Sequence, residues 1–142
     1  MTTLPALFPQ SPARTSRRVV RELVHFEMTT QTANPVAGAA AGEVIPVRGL
    51  LRWISTDPHT VGLVFRPGTP AAITWLIGRD LLAAGVAGPA GLGDVSILPD
   101  LRSGAHRELV LSSPSGRRGF RFPVTALVAF LDRTRDNEGG AR

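Results

Sequence analysis

The residues of this chain that could do chemistry are three histidines, a cluster of serines, a glycine-rich loop flanked by aspartates, and sixteen arginines. His25, His59 and His106 stand apart. A zinc site needs three or four converging ligands, and no His, Asp or Glu pair here has ligand spacing within a helix. The histidines are therefore read as structural or solvent-facing. Ser112, Ser113 and Ser115 lie in Ser-Ser-Pro-Ser-Gly, the composition of a hairpin turn rather than of a G-x-S-x-G nucleophile elbow. The loop Gly88 to Gly93 (GPAGLG) follows a short helical stretch and precedes a strand, the reverse of a phosphate-binding order, and no lysine follows it. Asp80 and Asp94 flank that region, but a glycosidase needs two carboxylates held at a set distance in a cleft. Asp80 reads instead as a favourable charge at a helix start, worth about 0.3–1 kcal/mol. There is no cysteine, which removes thiolate catalysis, cysteine metal ligands and disulfides. No catalytic, metal or cofactor constellation emerges, so a binding protein is expected and not an enzyme.

The arginines are the remaining candidates. Every basic residue counted in Lys+Arg 16 is an arginine. Residues 1–21 hold Arg14, Arg17, Arg18 and Arg21 with no acid, a charge of +4; residues 22–142 hold the other 12 arginines and all 11 acids, a charge of +1. The basic excess thus sits on a leading arm. Arg48 and Arg52 share the non-core face of one expected strand, and Arg117 and Arg121 that of another. If both strands belong to one sheet, its open face is an arginine platform able to hold phosphates. The aromatic interleaving that marks single-strand binding is missing: tyrosine is absent, and the tryptophans and most phenylalanines fall on core faces. These eight arginines are the candidate partner-binding residues. Nucleic acid is disfavoured.

The elements that must position them follow from periodicity. Residues 1–17, rich in Pro, Ala, Thr and Ser, read as a flexible basic leader. Val19–Thr30 alternates as a strand, with Val24, Phe26 and Met28 on one face. Residues 31–42 read as a small-residue loop. Val44–Ser55 is a second strand with Val47, Leu51 and Trp53 inward. Thr56 to His59 reads as a tight turn, and Thr60–Phe65 as a third strand. A fourth strand carries Ile73, Trp75 and Ile77 on its filled face. Arg79–Ala84 is a short helix, and Gly85 is expected to stop it with a positive φ at C′. Strands follow over Asp94–Leu98, His106–Ser112 and Arg117–Phe122, with a turn at Ser113-Pro114-Ser115-Gly116. Pro123 opens a helix in which Val124, Leu127, Val128 and Leu131 keep helical spacing, ahead of a charged tail placed at 136–142. Trp75, Val95, Ile97, Leu109, Leu111, Phe120, Phe122, Leu127 and Leu131 are expected to form one core. The fold class is α+β, with two curved antiparallel sheets sharing that core and two helices.

Four motifs in order carry a family resemblance: Leu51 to Phe65 (LRWISTDPHTVGLVF); Trp75, Arg79, Asp80, Leu81, Leu82, Ala83 and Gly85, followed by Pro89, Gly91, Gly93, Asp94 and Val95; Leu111 to Gly116 (LSSPSG); and Ala126 to Thr134 (ALVAFLDRT). Over roughly residues 45–135 the chain resembles the SsgA-like sporulation and cell division proteins of actinomycetes, with most similarity to the SsgB type. The resemblance implies a Whirly-like fold, a tendency to form trimers, and an adaptor role at the division septum through contacts with the tubulin-like protein FtsZ or with other SsgA-like proteins. A single-stranded nucleic-acid-binding module of Whirly-like fold is the rival.

The 142 residues suffice for one domain, placed at 18–135. The expected location is cytoplasmic with recruitment to the septum: no apolar run reaches the ~20 residues that span a bilayer, and the N-terminus is a poor secretion signal. Leu50, Ile54, Leu76 and Leu98 fall on faces read as outward, an apolar patch that self-association would cover.

Overall fold

The computed structural model describes residues 16–29 and 44–139. Arg14, most of the leader and the 31–42 loop lie outside them. The alternating pattern of the first half produces four strands, β1 (Val19–Thr29), β2 (Val44–Ile54), β3 (Asp57–Phe65) and β4 (Ile73–Gly78), followed by helix α1 (Arg79–Ala87). The second half gives β5 (Ala90–Leu92), β6 (Val95–Pro99), β7 (His106–Ser113), β8 (Gly116–Pro123) and helix α2 (Val124–Gly139).

One antiparallel sheet of eight strands results, in the order β4-β3-β2-β1-β8-β7-β6-β5. This corrects the expectation of two sheets. β1 pairs along its length with β2, from Val19↔Ile54 to Thr29↔Val44. Its last residues also pair with β8, through Glu27↔Arg121, Met28↔Phe120 and Thr29↔Gly119. Two meanders that look separate along the chain are fused at this short ladder.

The inner face of the sheet is filled by the predicted alternation. Val24, Phe26, Val47, Leu51, Leu63, Leu109, Phe120 and Phe122 are buried in one cluster with Leu82 of α1 and Leu127 and Phe130 of α2. Phe26 is the aromatic centre: its ring packs edge-on to Phe65 at 5.4 Å and to Phe120 at 6.2 Å, while Phe65 stacks on Phe120 at 4.4 Å. These contacts tie the two halves together above the fused ladder. The expected core members are all buried except Trp75, which is half-buried at the edge of the cluster. The buried tryptophan is Trp53, at 3% exposure. Its indole N–H donates to the Pro58 carbonyl at 3.0 Å, and the Arg18 guanidinium lies 5.4 Å from its ring centroid, a cation–π arrangement.

Several boundaries differ from the periodicity. The turn after β2 is Ser55-Thr56, not 56–59. Trp53 pairs with Val61 and Ile54 with Asp57, so residues 58–60 bulge and β3 starts at Asp57. The glycine loop contains an edge strand, β5, whose hairpin to β6 turns at Gly93 with φ 62°. Helix α1 runs past Gly85 to Ala87, and Gly85 has no positive φ. The space left by its missing side chain is what matters: a Cβ there would lie 2.7–2.9 Å from three atoms of Ile97. Finally, α2 runs to Gly139, into the expected charged tail, whose last residues lie outside the described ones.

Candidate functional groove

Motif residues with polar side chains are largely used inside the fold. Arg79, the first residue of α1, donates through Nε to Thr134 Oγ1 at 2.8 Å, and Thr134 Oγ1 donates to the Leu131 carbonyl at 2.7 Å. Thr134 is 2% exposed. A charged donor on a buried hydroxyl therefore locks α1 to α2. The C-terminus of α1 ends at Gly88, which is extended rather than left-handed and donates its N–H to the Ala84 carbonyl at 3.1 Å, and the next carbonyls are served by Arg107 of β7. Arg107 Nε donates to the Gly85 carbonyl at 3.2 Å and Nη2 to the Val86 carbonyl at 2.7 Å. A cation at the negative end of a helix satisfies its open carbonyls and its dipole together.

Of the eight predicted arginines, the four expected to share an open sheet face, Arg48, Arg52, Arg117 and Arg121, lie on β2 and β8 of the one sheet with β1 between them. Arg14 lies outside the described residues. Arg18 is structural: its backbone N–H donates to Ser55 Oγ at 2.8 Å and its guanidinium to the Arg133 carbonyl at 2.7 Å. Arg121 is held by Asp100 at 2.5 Å and Glu27 at 2.9 Å, an ion-paired bridge beside the β1–β8 ladder. The Arg121 hydrogen bond, with the Arg102 backbone N–H behind it, holds the Asp100 carboxyl below its ordinary value. Arg17, Arg21, Arg48, Arg52 and Arg117 are exposed. Arg21 and Arg52 are direct cross-strand partners, while Arg48 faces His25. β1 therefore separates Arg48 and Arg52 from β8, and Glu27 and Asp100 offset the charge of Arg121.

The curl of the sheet leaves a groove of about 1110 Å³ between β4 and the β7–β8 hairpin. Met28, Val47, Phe65, Leu111 and Phe120 line its floor, and Ile73 and Trp75 of β4 form one wall. Arg66, Arg117 and Arg118 stand around it. All three are exposed, and no ion pair engages them among the described residues. The sequence reading missed Arg66 and Arg118. For Arg118 a signal existed: alternation puts it on the same face as Phe120, opposite Leu111. Arg66 owes its place to an unusual backbone, φ 53°, at the end of β3, which no sequence pattern specified.

The outer face of the first half carries an apolar row. Leu23 pairs with Leu50 and Leu50 with Val64, and Leu76 projects from the same face of β4 beside Gly62. Leu23 is 51% and Leu76 72% exposed, while Leu50 and Val64 are half-buried. Among the described residues no helix is long and apolar enough to cross a membrane.

Comparison with known proteins gives a consistent result. Residues 47–137 match the family described as Streptomyces sporulation and cell division protein, SsgA. The sporulation-specific cell division protein SsgB of Frankia casuarinae is 40% identical over 94 residues, which cover 66% of this chain and 66% of that protein, just under two thirds of its length. A structure solved in connection with SsgB mutations that correlate to longitudinal cell division during sporulation of Streptomyces coelicolor superposes with a TM-score of 0.70 at 31% identity, covering 85% of this chain and 89% of that one. The crystal structure of an SsgA-like sporulation-specific cell division protein from Thermobifida fusca superposes with a TM-score of 0.72 at 25% identity, covering 86% and 83%.

Proposed function

Because the chain belongs to the family of Streptomyces sporulation and cell division proteins, SsgA, we propose that it is a non-catalytic adaptor in sporulation-linked cell division. It acts at the septum through protein contacts, either guiding FtsZ placement or joining septum machinery with other SsgA-like proteins. The observation that carries this reading is the match of residues 47–137 to the family, with relatives called sporulation-specific cell division proteins. The geometry supports it in one respect. Arg79 joins the two helices, Arg107 caps α1 and Arg121 bridges a strand junction, so the strongest polar interactions serve the fold, while an apolar groove and an apolar outer row remain at the surface. A fluorescent fusion in a sporulating host should concentrate at septa, and deletion of the gene should disturb septum number or position. Diffuse fluorescence throughout sporulation, with normal septation in the deletion strain, would overturn the adaptor reading.

The protein is also proposed to assemble, with a trimer as the expected size, through the outer row of Leu23, Leu50, Val64 and Leu76. In that assembly the exposed Arg17 and Arg21 of three copies would act together, each weak contact raised by effective concentration.

A single-strand nucleic-acid module of Whirly-like fold is less well supported. Phe26, Phe65, Phe120, Phe122 and Phe130 are buried, and stacking on bases needs exposed rings. Titration of single-stranded DNA across salt concentrations separates the readings, since a phosphate-driven binder loses affinity steeply with log salt.

A further inference from the structure

We propose that the groove between β4 and the β7–β8 hairpin is a docking site for an extended peptide segment whose groove-facing positions carry both carboxylates and apolar side chains. The inference deepens the adaptor reading and rests on it, because it names the kind of segment a protein partner would present.

Three features select that occupant. The groove floor is apolar and already shaped, with Phe65, Leu111 and Phe120 each at 7% exposure or less. Large side chains entering it gain burial without disturbing the core. Arginines stand on both sides: Arg66 follows β3, and Arg117 and Arg118 begin β8. Their guanidinium groups favour carboxylates in bidentate geometry, and three arginines from two elements favour several carboxylates over the single head group of a fatty acid.

The third feature is the free edge. β4 ends the sheet order and pairs only with β3 among the described residues. Its Ile73 is 54% exposed, and Trp75 is half-buried against the groove. A strand laid along β4 satisfies the open backbone groups and sends alternate side chains into the groove, the mode known as β-augmentation. A second copy pairing through the same edge would bring like charges from both grooves together, whereas an acidic segment neutralises them.

The probe is a dye-labelled hexapeptide whose alternate, groove-facing positions carry glutamate, phenylalanine and glutamate with threonine between them, matched in length to the six residues of β4 and followed by fluorescence anisotropy. Its partner probes carry lysine for glutamate, or N-methyl groups on every second amide. Arg66→Gly removes charge without strain, because glycine accepts a φ of 53° freely. Arg118→Ser changes an exposed side chain, and urea midpoints check that both variants fold. The expected result is saturable binding of the acidic peptide. Affinity should fall at least tenfold in the Arg66→Gly/Arg118→Ser double variant and on N-methylation, with no measurable binding of the lysine peptide. Equal binding of acidic and basic peptides, unchanged affinity in the double variant, binding of decanoate but of neither peptide, or edge-to-edge pairing of two copies would each overturn the proposal. A double variant that fails to bind peptide yet reaches septa normally overturns the groove alone. A wild-type protein that binds peptide but never reaches septa overturns the adaptor reading alone.

Discussion

Gly85 lies flat against Ile97, close enough that any Cβ at position 85 would meet the Ile97 side chain at 2.7–2.9 Å. Helix α1 crosses β6 at this point, and both residues are buried. Alanine favours a helix over glycine by about 0.8–1.0 kcal/mol, but overpacking a filled core typically costs about 1–3 kcal/mol. Gly85→Ala should therefore destabilise the protein, and Gly85→Ala with Ile97→Val should recover part of the loss. Urea unfolding of the two variants checks this. A more stable single variant would mean that the contact yields.

Arg79→Ala should cost about 1–3 kcal/mol, because it removes a charged donor from the buried Thr134 hydroxyl. Arg79→Lys should restore only part of that loss, since Nη2 also reaches the Leu131 carbonyl at 3.4 Å and an ammonium cannot span both acceptors in the same fork. Chemical denaturation of the three proteins checks the order. Equal stability of the lysine variant and wild type would mean that the second contact contributes nothing.

The two tryptophans should respond differently to truncation. Trp53 is 3% exposed and hydrogen-bonded, so Trp53→Ala should cost about 3–5 kcal/mol. Trp75 is half-buried, so Trp75→Ala should cost less while altering the groove wall. Differential scanning calorimetry resolves the two, because a 1 kcal/mol change moves Tm by roughly 2–4 °C in a chain of this size.

Acid should weaken the bridge through Asp100. Its folded pKa lies below the model-compound value of 3.8 because Arg121 and the Arg102 backbone donate to the carboxylate. A depressed folded value gives stability that is fully present above the unfolded pKa. That stability declines as pH falls below about 3.8 and is gone once the folded value is passed. Wild type and Asp100→Asn should thus differ in urea midpoint at pH 6 and converge towards pH 2. A constant difference across that range would remove the carboxylate from acid stability.

Light scattering at micromolar protein should give a mass above 15.1 kDa for wild type. Leu23→Ser/Leu76→Ser should shift it towards the monomer if the outer row is the self-association surface. A wild-type monomer would remove the trimer.

The sequence was most informative where one residue's neighbours along the chain decide its environment. Alternation assigned Val24, Phe26, Val47, Leu51, Phe120 and Phe122 to the inner face, and the Pro114-Ser115 turn joins β7 and β8 as composition suggests. Gly85 shows the boundary of that legibility. A glycine that ends a helix and one that admits a neighbour look alike in sequence, and only Ile97 distinguishes them. Arg107 capping α1 and Arg121 bridging Glu27 and Asp100 depend on partners from other elements, so these arginines could not be separated beforehand from free ones. The single sheet was illegible for the same reason: it rests on β1 meeting β8.

That meeting has a kinetic consequence. Every other ladder joins strands adjacent in the chain, while Glu27 and Arg121 are separated by 94 positions. Short loops close cheaply and zip early, but this contact must await the collapse of most of the chain. If the β1–β8 ladder forms only after the rate-limiting barrier, truncating Met28 should speed unfolding far more than it slows folding; a matching slowing of folding would place the ladder in the barrier itself. On that order of events, unfolding begins where the two meanders are joined.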